Sequence, residues 1–172
     1  MAATYDYLAT ATASGTPMYL EVTGIDQTYQ DLEVIIMSKA NATYGASSGK
    51  LTFNSVTSSD YAFTTLRKNG STMYAGIWNS QTSMDMNYAH GPATGSQMSG
   101  FVKMYIPDYA SSTAHPVNWW STSWDSTTAG EVAYTAGIFE PSSAAAITSM
   151  KWTCVYAIEN GCTMTVYGIK YA

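Results

Sequence analysis

Short runs of alternating apolar and polar residues, separated by turn-forming residues, are the feature that most restricts the fold of this chain. Residues 18–22 and 101–106 place apolar side chains at every second position, the period of a β-strand with one buried face. Glycine, proline and asparagine interrupt such runs at short intervals, as at residues 15–17 and 107–108. No stretch has the convincing spacing of an amphipathic helix. The pattern therefore predicts an all-β chain.

The strand spacing predicts a jelly-roll-like β-sandwich of about eight to ten strands. With 172 residues and no internal repeat, the chain is long enough for one core, and we expect a single domain. Residues 1–15 are predicted to be an N-terminal arm or edge strand, and residues 16–172 the sandwich. The candidate strands lie at residues 5–14 (or an extended arm), 18–22, 32–37, 49–53, 61–66 (or a helical turn), 73–78, 101–106, 117–124, 132–139, 146–156 and 163–169.

Three parts of this pattern lead to more specific expectations. Residues 32–37 are the most apolar run and are rich in β-branched side chains, so they are predicted to form a strand at the centre of the core, either buried on both faces or inside a sandwich. Residues 79–99 have no clear period and are predicted to be a loop. Asn160-Gly161 predicts a tight hairpin that pairs residues 146–156 with 163–169.

The two cysteines, Cys154 and Cys162, flank this predicted hairpin. A two-residue turn would direct their sulfur atoms to opposite faces of the sheet, too far apart to bond. We therefore expect two unpaired thiols that act as small hydrophobic residues. A disulfide remains an alternative if the loop is longer and irregular.

Charge restricts the partners of the chain. Charged residues form 11% of the sequence and the net charge is −5, with Arg67-Lys68 as adjacent basic residues. Binding to a phosphate backbone depends on clustered lysine and arginine, so no direct contact with nucleic acid is expected. No apolar run approaches the roughly 20 residues of a membrane-spanning helix, and the first residues do not resemble a signal peptide. We expect assembly in a cytosol and no membrane partner.

No constellation of residues indicates catalysis, a cofactor or a metal. His90 and His115 are 25 positions apart and lack neighbouring ligands, so both are interpreted as surface or loop histidines. The serine-rich residues 95–100 lack the spacing of a nucleophile elbow. Acidic residues in loops and strands are interpreted as solvated groups, although a glycosidase pair of carboxylates cannot be recognised from sequence alone. We expect a protein that is not an enzyme and binds no cofactor or metal.

Aromatic residues are the best candidates for contacts with a partner. In an extended strand Trp120 and Trp124 share one face and Trp119 takes the other. This cluster is either an interface or a stacking platform for a sugar, or else it belongs to the core. In the arm, Tyr5 and Tyr7 are further interface candidates, because an extended edge can add a strand to a neighbour.

Three stretches resemble a family of small jelly-roll-type virion proteins of tailed bacteriophages. The first is residues 25–36, a polar turn with Tyr29 followed by Asp31-Leu32 and an apolar strand. The second combines residues 51–54 and 60–61 with residues 105–110, and the third runs from residue 147 through the Asn160-Gly161 turn to the Tyr-Gly-Ile sequence at 167–169. Together they cover the chain from about residue 25 to its end.

The resemblance implies a virion structural protein that works as a homotrimer. Its role would be that of a capsid decoration, or cement, protein on the outer surface of the shell, with the major capsid protein as its partner. The alternative is a receptor-binding tip of a tail fibre that recognises a host glycan. Because the chain lacks a long shaft or a coiled coil, we expect decoration of the capsid.

Overall fold

A computed structural model describes residues 3–39, 47–69, 71–89, 100–125, 129–143 and 145–171. These residues form strands and connecting turns, and none of them lies in a helix that could cross a membrane. The strands are β1 (Ala3–Thr12), β2 (Tyr19–Thr23), β3 (Asp31–Ser38), β4 (Ser47–Phe53), β5 (Tyr61–Asn69), β6 (Thr72–Gln81), β7 (Met84–Ala89), β8 (Gly100–Ile106), β9 (His115–Asp125), β10 (Ala129–Phe139), β11 (Ser149–Cys154) and β12 (Thr163–Tyr171).

The strands form two antiparallel sheets of unequal size. The larger has eight strands in the order β1-β12-β3-β8-β9-β10-β5-β6, and the smaller has four in the order β2-β11-β4-β7. The predicted all-β sandwich is confirmed, with twelve described strands instead of the predicted eight to ten. The larger sheet has twice as many strands as the smaller, so the described strands of the smaller sheet do not extend beneath all of it.

The core lies between the two sheets and follows the predicted two-residue period. In β3, Leu32, Val34 and Ile36 are fully buried, while Met37 on the other face is exposed. The strand lies between β12 and β8, as expected for the centre of a sheet. From the smaller sheet, Trp152 of β11 belongs to the same buried cluster. The apolar run at residues 32–37 is thus buried on one face and partly exposed on the other.

The N-terminal segment is an edge strand of the chain's own larger sheet. β1 pairs with β12 from Ala3 to Thr12, and the register shifts between Tyr7 and Ala9. The connection continues in register, because the Ala13 N–H donates to the Cys162 carbonyl over 2.8 Å. The backbone of this segment is therefore already paired along one side within the same chain.

The hairpin predicted around Asn160-Gly161 is wrong. β11 pairs with β2 and β4 in the smaller sheet, whereas β12 pairs with β1 and β3 in the larger one. A local turn does form, since the Cys162 N–H reaches the Glu159 carbonyl at 3.4 Å and Gly161 has φ 85°. However, the eight residues between the strands are enough to carry the chain from one sheet to the other.

Two other sequence expectations are also settled by the strand pairing. Residues 79–99 are not one loop, because β7 lies within them and pairs with β4, while residues 90–99 fall outside the described part. Cys154 and Cys162 are buried and are not joined by a disulfide, as predicted. The reason differs from the expected one, because Cys154 ends β11 of the smaller sheet, whereas Cys162 lies just before β12 of the larger sheet.

Candidate interaction surface

The outer face of the larger sheet, which points away from the smaller sheet, carries the candidate surface. Strand register aligns its side chains in rows across the sheet, and the central row contains Ile35, Lys103, Trp120, Tyr134 and Leu66. We call this surface the outer sheet face. Its other apolar members are Tyr5, Tyr7, Tyr167, Met37, Phe101, Tyr105, Val132, Ile138, Met73, Ala75 and Ile77.

Much of this face is apolar and accessible. Tyr134 is 56% exposed, Val132 55% and Leu66 52%, and these three lie on adjacent strands. The charged groups within the rows are few: Lys68, the Glu33–Lys103 ion pair at 2.7 Å and the buried Asp31. A large exposed apolar patch on a soluble domain usually marks a contact surface.

Trp120 is the exposed centre of this surface. Its indole is 47% exposed and lies in a shallow groove between Lys103 on β8 and Tyr134 on β10, with Asn118 two residues before it. The Lys103 Nζ is 5.8 Å from the centroid of the indole ring. The Lys103 ammonium group therefore contacts both the Glu33 carboxylate and the face of the indole.

Trp119 belongs to the core and is not an exposed contact, which corrects its place among the interface candidates. It is 1% exposed and lies 6.1 Å from the Phe63 ring, which in turn stacks on Trp78 at 5.1 Å. The alternation of the strand decides this, because Trp119 and Trp120 point to opposite faces. Trp124 pairs with Gly130 in the sheet, but its side chain lies outside the described residues.

Tyr5 and Tyr7 lie on the outer face of β1, at one end of the rows. They are 55% and 63% exposed, and the Tyr7 ring meets Tyr167 edge-on at 6.4 Å. Four strand spacings separate them from Trp120, which corresponds to about 19 Å. The structure thus places three of the five candidates on one face, but not in a single cluster.

The edge formed by β6 was not recognised in the sequence. Ile77 and Met73 on its outer side are 73% and 58% exposed, and Tyr74 and Trp78 on its inner side are 47% and 41% exposed. Exposure on both sides arises because β6 lies at the end of the larger sheet, where the described strands of the smaller sheet reach only as far as β5. The signal available in the sequence was a strand with large apolar residues in adjacent pairs and no charged residue.

A polar cluster lies at one border of the outer sheet face, beside β12. The Asp31 carboxylate is 6% exposed and accepts hydrogen bonds from the Tyr171 hydroxyl at 2.7 Å, the Tyr105 hydroxyl and the Asp108 N–H at 2.9 Å. Burial alone raises the pKa of Asp31, but these three donors outweigh burial and hold the pKa below its ordinary value. Burial, followed by the hydrogen bonds of Tyr105 with the Asp31 carboxylate and the Tyr171 hydroxyl, raises the pKa of Tyr105. The cluster ties β3, β8 and β12 together.

Side chains suited to metal binding do not converge in the described part of the chain, where no group of three His, Cys, Asp or Glu residues occurs. His115 is fully buried at the start of β9, contrary to the surface or loop position predicted for it. Its Nε2 lies 3.0 Å from the Ala145 carbonyl, and its ring stacks on Phe139. His90 lies outside the described residues.

Comparisons with known proteins give little further information. No protein-family model and no curated protein matches this sequence. A solved structure with some similarity is the galectin LEC-6 of Caenorhabditis elegans, with a TM-score of 0.33 and 10% identity over 94% of this chain and 96% of the galectin chain. At this score the backbones differ too much for ligands or residue roles to be transferred.

Proposed function

We propose that this chain is a virion structural protein that decorates a capsid and binds the shell as an oligomer through its outer sheet face. The observation that supports the proposal most is the apolar, sparsely charged character of that face. Together with the resemblance to bacteriophage virion proteins, this character favours packing against protein over catalysis. The major capsid protein and further copies of this chain are the proposed partners, within a virion.

The size of the outer sheet face fits a protein contact. Eight strands span seven spacings, about 34 Å, and four rows of side chains extend about 20 Å, which gives a plane of about 700 Å². A standard protein interface buries about 600–1,000 Å² on each partner. The face is therefore large enough for one stable contact, and one contact for each oligomer subunit multiplies the binding strength over a lattice.

The composition of the face also fits this role. Aromatic residues such as Trp120 and Tyr134 combine a large apolar area with a polar group, which is typical of interface hot spots. Removing water from neutral side chains costs less than removing it from lysine or glutamate. The Glu33–Lys103 pair is already neutralised within the chain, so its burial leaves no charge without a partner.

The proposal can be tested by counting copies in purified particles and by reconstitution. We expect a near-stoichiometric ratio to the major capsid protein, and saturable binding of recombinant protein to undecorated shells. Trp120→Asp should abolish binding, whereas Tyr19→Asp, at a side chain of similar exposure (44%) on β2 of the smaller sheet, should not. A handful of copies per particle, or equal binding by both variants, would refute a decoration role.

A second candidate, a receptor-binding tip that holds a host glycan, is favoured by the groove at Trp120. Its indole can stack on a sugar ring, and the Asn118 amide and the Lys103 ammonium group lie beside it to meet hydroxyl groups. This candidate predicts binding to host cells that is lost in Trp120→Ala and competed by host surface polysaccharide. Binding that polysaccharide does not compete would exclude it.

A further inference from the structure

We propose that the free edge of β6 pairs antiparallel with β6 of a second copy across a two-fold axis, and joins two larger sheets into one of sixteen strands. This interaction goes beyond the proposed function and does not depend on it. If both hold, the outer sheet faces of two copies form one continuous surface toward the shell.

The first support is the backbone of β6. The strand is ten residues long and is the last in the larger sheet, with β5 as its neighbour. Its register with β5 is regular from Thr72 to Trp78 and shifts only beyond Trp78, near Ser80. Seven consecutive residues thus form a straight edge, whose outward N–H and C=O groups can pair with an added strand.

The second support is the absence of the usual protection of an edge. Natural edge strands carry charges, prolines or bulges that prevent pairing, or they are covered. Residues 72–78 contain no charge and no proline. They instead expose four large apolar side chains, Met73 and Ile77 on one side and Tyr74 and Trp78 on the other. A free strand of this kind would be an aggregation site unless a partner covers it.

The third support concerns which partner fits. The sequence around Gly76 is close to symmetric, with Tyr74 and Trp78 two positions away on the inner side and Ala75 and Ile77 one position away on the outer side. A two-fold axis at Gly76 places Tyr74 opposite Trp78, and Ala75 opposite Ile77, of the other copy. Aromatic pairs opposite each other stabilise strand pairing. Because β6 has no charge, a copy of itself brings no repulsion.

The side chains at this axis are already ordered within one copy. Trp78 lies over Gly76, where a Cβ atom would clash with the indole, and it stacks on Phe63 at 5.1 Å. On the same side, Arg67 lies 4.8 Å from the centroid of the Tyr74 ring. Both aromatic rings are thus held before association, which lowers the entropy cost of pairing.

The other edge of the larger sheet argues against a head-to-tail arrangement. A β6-to-β1 contact is heterologous and would continue into a ring or an open filament, whereas a β6-to-β6 contact closes after two copies. In β1 the register shift at Tyr7 and Ala9 interrupts a regular edge. The contact at β6 therefore builds dimers, and the trimer implied by the bacteriophage resemblance would need a different contact.

The mass of the full recombinant chain, measured by sedimentation over a range of concentrations, tests the proposal. We expect a monomer–dimer equilibrium that Ile77→Lys weakens by about tenfold or more, equivalent to about 1.4 kcal/mol. Tyr7→Lys is the matched control, since Tyr7 is 63% exposed on the opposite edge, and it should leave the equilibrium unchanged. A purely monomeric chain, a trimer, or a dimer weakened only by Tyr7→Lys would overturn the proposal.

Cross-linking gives a second measurement that does not depend on weakening the contact. In the double variant Ala75→Cys with Ile77→Cys, the new thiols of two copies lie opposite each other and should form covalent dimers on mild oxidation. Thr12→Cys on β1 should not, and the native cysteines are buried. Equal cross-linking of the β1 variant and the β6 variant would contradict a specific β6 contact.

Discussion

The two edges of the larger sheet, β1 and β6, differ in how far the chain itself covers them. Beside β1, Leu8, Ala9 and Ala11 pack against the core, and the Tyr29 ring lies over Gly168 of the adjacent β12. On β6, Ile77 and Trp78 are exposed on opposite sides of the strand. The inner side of β1 is thus covered within the chain, whereas β6 exposes large apolar residues on both sides.

The widths of the two sheets explain this difference. In the smaller sheet, β2 contacts β1 and β12, and β7 contacts β8, β9 and β5. Among the described residues, the smaller sheet reaches β5 and does not extend beneath β6 to a comparable degree. The inner side of this edge strand is therefore open. Apolar residues on that side are removed from water only if a partner covers them.

The largest expected effect comes from the core residue that packs on the β6 side of the larger sheet. Trp119→Ala should lower the free energy of unfolding by about 3–5 kcal/mol, because it leaves a cavity against Phe63, whose other neighbour is Trp78. Its neighbour Trp120, exposed on the outer sheet face, is the control, and Trp120→Ala should change stability by no more than about 0.5 kcal/mol. Denaturant unfolding measures both, and similar losses would contradict the assignment of the two faces.

A slightly smaller effect is expected on the β1 side of the larger sheet, at the Asp31 carboxylate, which accepts a hydrogen bond from β12. Asp31→Asn should cost about 1.5–3 kcal/mol at neutral pH, since hydrogen bonds to a charged acceptor are lost.

The native pKa of Asp31 lies below its value in the unfolded chain, so its contribution to stability is complete above the unfolded value and is lost as pH falls through the native one. Denaturation midpoints across the acid range should therefore fall for the wild type and change less for Asp31→Asn. Parallel profiles of the two proteins would contradict this role.

Because the Tyr29 ring covers β12 beside β1, adding a single methyl group beneath this ring should destabilise the fold. A Cβ at residue 168 would clash with the Tyr29 ring, so Gly168→Ala should destabilise the fold by about 1–3 kcal/mol. In the presence of Tyr29→Ala the same change should cost much less, because the clash is removed. Additive losses in the double variant would show that Tyr29 does not cover Gly168.

The smallest effect concerns the point where the regular part of β6 ends. Ser80 has φ 54°, in the left-handed region that is unfavourable for a residue with a Cβ. Ser80→Gly should raise stability by about 0.5–1 kcal/mol, because glycine reaches this conformation without strain. Gly161→Ser, at φ 85° in the turn before β12, should lower stability instead. Thermal unfolding compares the pair, and shifts of the same sign would contradict the explanation by strain.

The two-residue period predicted the strands of the core, because residues such as Leu32 and Val34 alternate with side chains on the outer face. It could not assign strands to layers, which is why Asn160-Gly161 suggested a hairpin when the chain changes sheet there. β7 was missed although Met84, Met86 and Tyr88 alternate with polar residues, because the Met- and Gly-rich sequence of residues 79–99 as a whole has no clear period. The edge position of β6 left no periodic signal, because neither side of this strand is buried. Its apolar residues therefore occur at odd and even positions alike.

Hydrogen exchange of the full chain, measured at low and high protein concentration, tests the difference between the edges most directly. We expect amides of residues 72–78 to become protected as concentration rises, while those of residues 3–12 exchange at the same rate in both samples. Protection at residues 3–12, or no change at residues 72–78 while the mass of the protein increases, would contradict this expectation.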